Sequence, residues 1–197
     1  VKDSTGAEFT DAEEFTGHQL EAQTWDGDKV VSKVVTTPWK AVTGTQTHSW
    51  GTRNAVIVRS DVERGFSLLA NDTWRESKST TKYSTVYGTG RVTEVDDQGD
   101  VSTTADDACI RIWYADNTTA NLLSLPSRSE AVGVRCSATP DRKTQVHADE
   151  RTSYDNKAFG EAPTRGLATT TERLTAHNGT TGTYQVTGTT TYDGFGR

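Results

Sequence analysis

Long apolar runs and any excess of basic charge are absent from this sequence. Its 197 residues include 21 Lys and Arg against 27 Asp and Glu, a formal net charge of -6, and both signs are mixed along the chain. Binding to nucleic acid needs a basic surface for the phosphates, which this balance does not provide. A membrane-spanning helix needs about 20 mostly apolar residues, and no run approaches that length. We therefore expect neither nucleic-acid binding nor membrane insertion.

Methionine is missing altogether, and there are only 4 Pro and 2 Cys. The opening residues, VKDSTGAEFT, resemble neither an initiator segment nor a signal peptide, so we expect the segment to come from a longer precursor. Cys109 and Cys136 could form one disulfide, which an exported protein would tolerate better than a cytosolic one. Their pairing depends on strand register, and two half-buried free thiols are the alternative.

Threonine, by contrast, is abundant, with 35 copies, while hydrophobic residues make up 32% and the mean hydropathy is -0.69. β-Branched polar residues favour strands because they pack on a pleated surface and lose rotamer freedom in a helix. The 5 Trp, 6 Tyr and 5 Phe are too many for a disordered linker. The composition predicts an all-β protein with a thin core, as in sheets with one solvent-exposed face or in shallow stacked layers.

Strand-like segments recur between clusters of Gly, Asn and Asp. They lie at residues 28–37, 54–60, 90–95, 109–115, 131–136, 169–176 and 181–192. Asn178-Gly179 predicts a hairpin whose two-residue turn has positive φ at both central positions. Residues 10–23 are the best helical candidate, but Thr16-Gly17 interrupts them, so we expect one short helical turn at most.

A tyrosine motif recurs through the second half of the chain. A segment rich in Thr or other β-branched residues precedes a Tyr, which is often followed by an Asp one or two residues later. A polar loop follows, then Gly or Asn, and Arg or Leu opens a new strand. The motif residues are Tyr83, Gly90, Arg91, Tyr114, Asp116, Tyr154, Asp155, Gly166, Leu167, Tyr192, Asp193, Gly194, Gly196 and Arg197. The pattern predicts a stack of antiparallel hairpins.

Each motif residue has a predicted structural role. The Tyr ring would cover the neighbouring strand and stack on its equivalents, with its hydroxyl in water. The Asp would accept hydrogen bonds from turn amides, and the Gly would supply left-handed backbone. The Arg or Leu would re-enter the sheet.

These residues carry a family resemblance. YDGFGR, at 192–197, resembles the tyrosine-aspartate signature of the Rhs, or YD-repeat, family. RTSYDNKAF…RGL, at 151–167, resembles a copy with a longer loop. The copies around Tyr83 and Tyr114 are weaker, because the Asp is replaced in the first and displaced in the second.

The resemblance covers about residues 76–197, and residues 1–75 hold only degenerate repeat-like units. We expect one continuous array across both parts.

Proteins of this family are large bacterial exported or surface-attached chains, often polymorphic toxins. Their repeats form a β-sheet spiral that closes into a hollow shell around a C-terminal toxic domain, and animal teneurins use a comparable shell in adhesion. The resemblance implies a curved or spiral sheet that is secreted or at the cell surface, is not an enzyme and needs no cofactor. Its partners would be the rest of the shell and the enclosed cargo. The family's cleavage segment contains Asp-Pro pairs, which this sequence lacks.

Two other functions remain open, an adhesion or glycan- or protein-binding module and a secreted hydrolase. The sequence contains neither a Gly-x-Ser-x-Gly elbow nor a His-Glu-x-x-His helix, and we expect surface histidines and no catalytic residue. The histidines are His18, His48, His147 and His177. We also expect unpaired strand edges at both ends, which would allow the isolated piece to associate edge to edge.

Two further clusters have competing interpretations. An acidic cluster could gather carboxylates around Ca²⁺, but EF-hand spacing is not met and we expect solvated loop tips without metal. Its members are Asp96, Asp97, Asp100, Asp106 and Asp107. The tryptophans could form a sugar-binding strip, but we expect them to fill the inner face of a sheet. They are Trp25, Trp39, Trp50, Trp74 and Trp113.

Overall fold

The computed structural model describes all residues from 1 to 197 and is all-β, as the composition predicts. The chain divides into two compact units, Val1–Asp107 and Ala108–Arg197. Within each unit every strand pairs antiparallel with the next strand along the chain. The prediction of consecutive antiparallel hairpins is therefore confirmed. The predicted boundary between residues 75 and 76 separates degenerate repeat units from the part with tyrosine motifs. It stays a prediction.

The first unit has five strands and two 3₁₀ turns. The strands are β1 (Glu21–Asp26), β2 (Lys29–His48), β3 (Gly51–Leu68), β4 (Trp74–Ser84) and β5 (Arg91–Asp100), and the turns are Glu13–Phe15 and Val86–Gly88. The first turn is the short helical turn predicted within residues 10–23. It ends beside Gly17, which has a φ of 81°. No helix in the structure is long and apolar enough to span a bilayer.

The β2–β3 hairpin is much longer than its neighbours. Its ladder runs to His48 opposite Gly51, whereas β1 pairs with β2 only as far as Val35 and β4 pairs with β3 only from Val62. Beyond those points the two strands continue as a ribbon without a third strand. We call residues 44–55 at its outer end the ribbon tip.

The second unit has strands β6 (Ala108–Asn117), β7 (Leu122–Val132), β8 (Val146–Tyr154), β9 (Ala168–His177) and β10 (Gly182–Thr189). The strand predicted at 131–136 is wrong, because β7 ends at Val132 and the chain turns away at Gly133. Conversely, β8 lies outside the predicted strands. Its sequence, VHADERTSY, has few apolar residues because a charged side chain, Asp149, takes a fully buried position.

The β9–β10 hairpin is present, but its predicted two-residue turn is wrong. His177 pairs with Gly182, which leaves a four-residue loop at 178–181. Gly179 has a φ of 102°, while Asn178 has no positive φ. The Asn178 side chain instead accepts hydrogen bonds from backbone amides further along the loop, which stabilises the wider turn.

The buried core is thin and partly polar. Its apolar members are Val35, Phe66, Cys109, Val132 and Tyr154, and its polar members are Asp107, Ser127, Glu130, Asp149, Ser153 and Thr169. The prediction that the tryptophans fill an inner face is wrong for four of the five. Trp25, Trp50, Trp74 and Trp113 are 57%, 66%, 42% and 40% exposed. An antiparallel sheet can leave one of its faces exposed to water, and these side chains lie on exposed surface of that kind.

Candidate functional site

Three of the four motif tyrosines make the same contact. Each donates a hydrogen bond from its hydroxyl to a backbone carbonyl of the preceding strand, close to where the two strands stop pairing. The contacts are Tyr83 to Ser60 at 2.7 Å, Tyr154 to Pro126 at 2.7 Å and Tyr192 to Ala168 at 3.0 Å. We call this contact the tyrosine clasp. It ties one hairpin strand to its partner and recurs in both units.

The clasp corrects the expectation that these hydroxyls stay in water. At the end of a ladder a backbone carbonyl has no amide partner, and a tyrosine hydroxyl can reach it without bending the strand. Burial raises the pKa of the Tyr83 and Tyr154 hydroxyls. The ring of Tyr83 stacks on Trp39 at a centroid distance of 4.7 Å, rather than on another motif tyrosine.

Asp155 organises the loop between β8 and β9. It has a φ of 59°, and its carboxylate accepts hydrogen bonds from four consecutive backbone amides on the far side of the loop. The donors are Thr164 at 2.6 Å, Arg165 at 2.9 Å, Gly166 at 3.1 Å and Leu167 at 3.0 Å. Partial burial raises the pKa of the Asp155 carboxyl, but these four amides outweigh it and hold the pKa well below its ordinary value.

Asp193 repeats this arrangement at the end of the chain. Its carboxylate accepts the amides of Phe195 at 2.9 Å and Arg197 at 3.0 Å, and these bonds to backbone amides lower its pKa. Gly196 has a φ of 81°, and Gly166 in the longer loop has a φ of 78°. The predicted role of the motif Asp is confirmed at both turns. That of the motif Gly is confirmed at Gly166 and Gly196 but is wrong for Gly194, which has no positive φ.

The two copies share a direct contact as well. Arg165 Nη2 donates to the carbonyl of Gly194 at 3.2 Å. The β8–β9 loop and the final turn are therefore held together.

The weaker copies keep part of the arrangement. Ser84, in the Asp position after Tyr83, accepts the amide of Val86 through its hydroxyl at 3.2 Å. Gly90 has a φ of 58°, and a Cβ built there would lie 2.8 Å from Cδ1 of Ile57, so a side chain would strain the backbone and displace Ile57.

The remaining motif residues lie in strands. Arg91 opens β5 opposite Ser84. Tyr114 lies in β6 opposite Pro126, the residue whose carbonyl accepts the Tyr154 clasp, and Asp116 lies near the end of the same strand.

The two cysteines form a disulfide with a Cα–Cα distance of 4.9 Å, which decides between the two alternatives left open by the sequence. Cys109 lies in β6 and is fully buried, while Cys136 lies in the turn after β7. Arg111 Nη2 also donates to the Cys136 carbonyl at 2.7 Å. The bridge fixes the start of the 133–145 loop to the sheet.

A buried group of charges lies on β7, β8 and the 133–145 loop, together with a tyrosine of β10. We call Arg128, Glu130, Arg142, Asp149 and Tyr184 the arginine–carboxylate cluster. Glu130 is 3% exposed and Asp149 is 0% exposed, and they face each other across the β7–β8 ladder. Arg128 binds both oxygens of Asp149, at 2.8 and 2.6 Å, and also Glu130 at 2.7 Å. The hydrogen bonds to Asp149 raise the pKa of the Arg128 guanidinium.

The other two members complete the cluster. Arg142 donates to Glu130, and the Tyr184 hydroxyl donates to Asp149 at 2.7 Å. Both carboxylates are therefore paired with arginine side chains inside the unit. These ion pairs connect β7, β8 and the 133–145 loop. Sequence reasoning missed this cluster, although the alternation of charges in SRSE, at 127–130, is an available signal.

The histidines and the acidic cluster lie in exposed or half-buried settings except for Asp107, which is 7% exposed and so corrects the expectation that all five aspartates are at solvated loop tips. The side chain of Asp100 accepts the amide of Ser102, and that of Asp106 accepts the amide of Asp100. The His48 ring stacks on Trp50 at 4.7 Å at the ribbon tip. His177 accepts the amide of Gly179.

The ribbon tip is an exposed surface of unusual composition. Residues 43–52, TGTQTHSWGT, include no Asp, Glu, Lys or Arg. Trp50 is 66% exposed, and the guanidinium of Arg53 lies 5.0 Å from its ring centroid. Free strand edges are usually protected by charges or proline, and the β2 end of the ribbon tip, residues 44–48, has neither.

The comparisons with known proteins provide no relative. No family model matches the chain, and neither a curated protein nor a solved structure matches it. The features available for inferring function are therefore the tyrosine clasp, the Asp-capped turns, the arginine–carboxylate cluster and the ribbon tip.

The Tyr154 clasp can be tested by removing a single oxygen. Tyr154→Phe removes the donor to the Pro126 carbonyl from a tyrosine that is 8% exposed, and we expect the free energy of unfolding to fall by about 0.5–1.5 kcal/mol. Tyr87→Phe is the matched control, because Tyr87 is 53% exposed. Urea unfolding measures both. Equal stability of the two variants would show that the clasp contributes nothing.

Proposed function

We propose that this chain is a structural wall segment of a YD-repeat shell, which encloses and protects a toxin or effector domain lying outside this chain. The observation that carries the proposal is the recurrence of one device: a strand-end tyrosine clasps the preceding strand, and an Asp or Ser caps the turn that follows. Tyr154 with Asp155 and Tyr192 with Asp193 are its full copies. A device of this kind can be repeated along a chain without limit.

The thin core supports the same proposal. A wall needs lateral strength between strands rather than a deep interior, and here that strength comes from ladders, clasps, the disulfide and the arginine–carboxylate cluster. The Cys109–Cys136 bridge favours an oxidising location, in keeping with a secreted or cell-surface protein. On this proposal the chain itself is not an enzyme and needs no cofactor. Its partners are the rest of the shell and the cargo.

The test of this proposal uses the full-length protein encoded by the gene. We expect electron cryomicroscopy to show a closed β-sheet wall that includes these residues and surrounds further density. We also expect added protease to spare the enclosed domain until the wall is unfolded. A full-length protein whose sheet encloses nothing, or whose other domains are all digested in the native state, would contradict the proposal.

A second candidate is a binding module, and the exposed Trp50 at the ribbon tip favours it. An aromatic side chain at a protruding tip can stack on a sugar ring or enter a protein pocket. A glycan array probed with the native chain and with Trp50→Ala distinguishes the candidates. Binding that is lost in the variant supports adhesion. Absence of binding to any glycan contradicts the glycan-binding form of this candidate.

Free strand edges lead to a prediction about self-association. We expect the isolated chain to form dimers as its concentration rises, through the β2 edge of the ribbon tip, which carries no charged side chain. Thr45→Lys with Thr47→Lys places charge on that edge and should restore the monomer in sedimentation velocity. Thr183→Lys with Gln185→Lys in the end strand β10 is the matched control. A monomer at all concentrations, or loss of the dimer only in the β10 variant, would overturn this assignment.

A further inference from the structure

The loop between β9 and β10 holds an arrangement that the proposed function does not use. Asn178 and Gly179 are exposed there. The backbone N–H of Gly179 donates to Nδ1 of His177 at 3.0 Å. Oδ1 of Asn178 accepts the amides of Thr180 at 2.9 Å and Thr181 at 2.7 Å.

These contacts match the needs of a known reaction of asparagine. In succinimide formation the backbone nitrogen after the asparagine attacks the side-chain Cγ, and the nitrogen must lose its proton as it does so. His177 Nδ1 lies within hydrogen-bonding distance of that proton, where a general base must be. The two amides on Oδ1 lie where negative charge develops during the attack, as donors to an oxyanion do.

We propose that Asn178 is a site of self-modification, in which His177 assists its conversion to aspartate and isoaspartate. A bond forms between Gly179 N and Asn178 Cγ, and the proton from Gly179 N passes to His177 Nδ1. The Cγ–Nδ2 bond then breaks, and ammonia leaves with that proton. Water opens the resulting imide at either carbonyl, which gives aspartate or isoaspartate. No electrons are gained or lost.

The other nitrogen of the His177 ring also faces a donor. Nε2 accepts from Nε of Arg142 at 3.3 Å, and a neutral imidazole has only one nitrogen that can accept, so the two contacts compete for its lone pair. The reaction uses the tautomer in which Nδ1 accepts, which the shorter contact with Gly179 favours. Arg142 and Lys143 are the charged groups next to the loop, since a Cβ built on Gly179 would lie 3.3 Å from Cε of Lys143.

The modification has a structural consequence at this hairpin. Either product places a new carboxylate at the loop, and isoaspartate also lengthens the backbone by one atom. His177 and Gly182 pair immediately before and after the loop, so the longer backbone would strain the end of the β9–β10 ladder.

The experiment follows each asparagine by peptide mass spectrometry during incubation of the native chain at neutral pH. The same chain in urea is the reference, because it keeps the Asn-Gly sequence but loses the His177 contact. We expect Asn178 to react about tenfold or more faster in the native chain than in urea, a modest share of what a positioned base can supply. Asn54 and Asn71, which are exposed and not followed by Gly, should stay unchanged.

Two variants test whether His177 acts as the base in the reaction of Asn178. His177→Phe keeps a ring but has no Nδ1, and we expect the native rate to fall to the rate in urea. Arg142→Gln removes the other partner of the ring and should leave the rate high. The comparison of native and urea-treated chain needs no variant, so a folding defect cannot hide the answer. An Asn178 rate that is equal or lower in the native chain, or unchanged by His177→Phe in a folded variant, would overturn the proposal.

Discussion

Asp149→Asn is expected to lower the free energy of unfolding by about 3–5 kcal/mol, which is the range for breaking a buried ion pair from one side. The substitution keeps the shape of the side chain but removes the charge that faces Arg128 and Arg142. Since Asp149 is 0% exposed, water cannot replace the lost interactions without opening the unit. Urea unfolding followed by circular dichroism measures the loss.

The matched control is Glu150→Gln, one residue further along β8. Glu150 is exposed, and neutralising it should change stability by less than about 0.5 kcal/mol. A pair of substitutions, Arg128→Met with Asp149→Leu, should recover part of the loss, because replacing both charges leaves neither unpaired. If Asp149→Asn lowered the free energy of unfolding no more than Glu150→Gln does, the arginine–carboxylate cluster would not stabilise the unit.

Reduction of the Cys109–Cys136 bridge is expected to destabilise the second unit by about 3–4 kcal/mol. The estimate follows from the extra chain entropy of the unfolded state when a loop with a sequence separation of 27 is released. Urea unfolding of the native chain with and without reductant measures the difference. The bridge also holds the turn after β7, so local exposure of the 133–145 loop to protease should increase.

A double variant, Cys109→Ala with Cys136→Ala, provides the control. It should resemble the reduced native chain and should not respond to reductant. The native chain must respond, and an unchanged unfolding midpoint after complete reduction would contradict a stabilising bridge. Trp113 is the one tryptophan of the second unit, which makes its fluorescence suitable for following that unit.

If both results are obtained, the second unit is stabilised by ion pairs, hydrogen bonds and a disulfide rather than by a deep apolar core. Val132 and Cys109 are fully buried, but most of the other buried side chains of this unit are polar. The tyrosine clasp belongs to the same pattern, because it satisfies a backbone carbonyl at the end of two ladders of this unit, β7–β8 and β9–β10. A sheet stabilised in this way tolerates a polar composition, which explains a mean hydropathy of -0.69 in a folded chain.

Local features of the fold could be predicted from the sequence. The excess of threonine predicts strands, and the turn at Asp193 follows from residues close together in the chain, whereas Asp155 accepts amides 9 to 12 residues ahead. Asp193, for example, caps amides only two and four residues ahead. Such contacts form whenever the local backbone turns, so short-range chemistry specifies them.

The features that the sequence left open all depend on which strand lies opposite which. The Tyr154 hydroxyl bonds to the Pro126 carbonyl, and Glu130 faces Asp149, only because the β7–β8 register brings them together. The β6–β7 register, which places Cys109 opposite Val132 at the end of β7, decides that Cys109 can reach Cys136. By itself the sequence determined an all-β chain with Asp-capped turns. The tertiary structure alone decided the clasps, the bridge and the buried charges, because a register shift of one residue would turn each side chain to the opposite face.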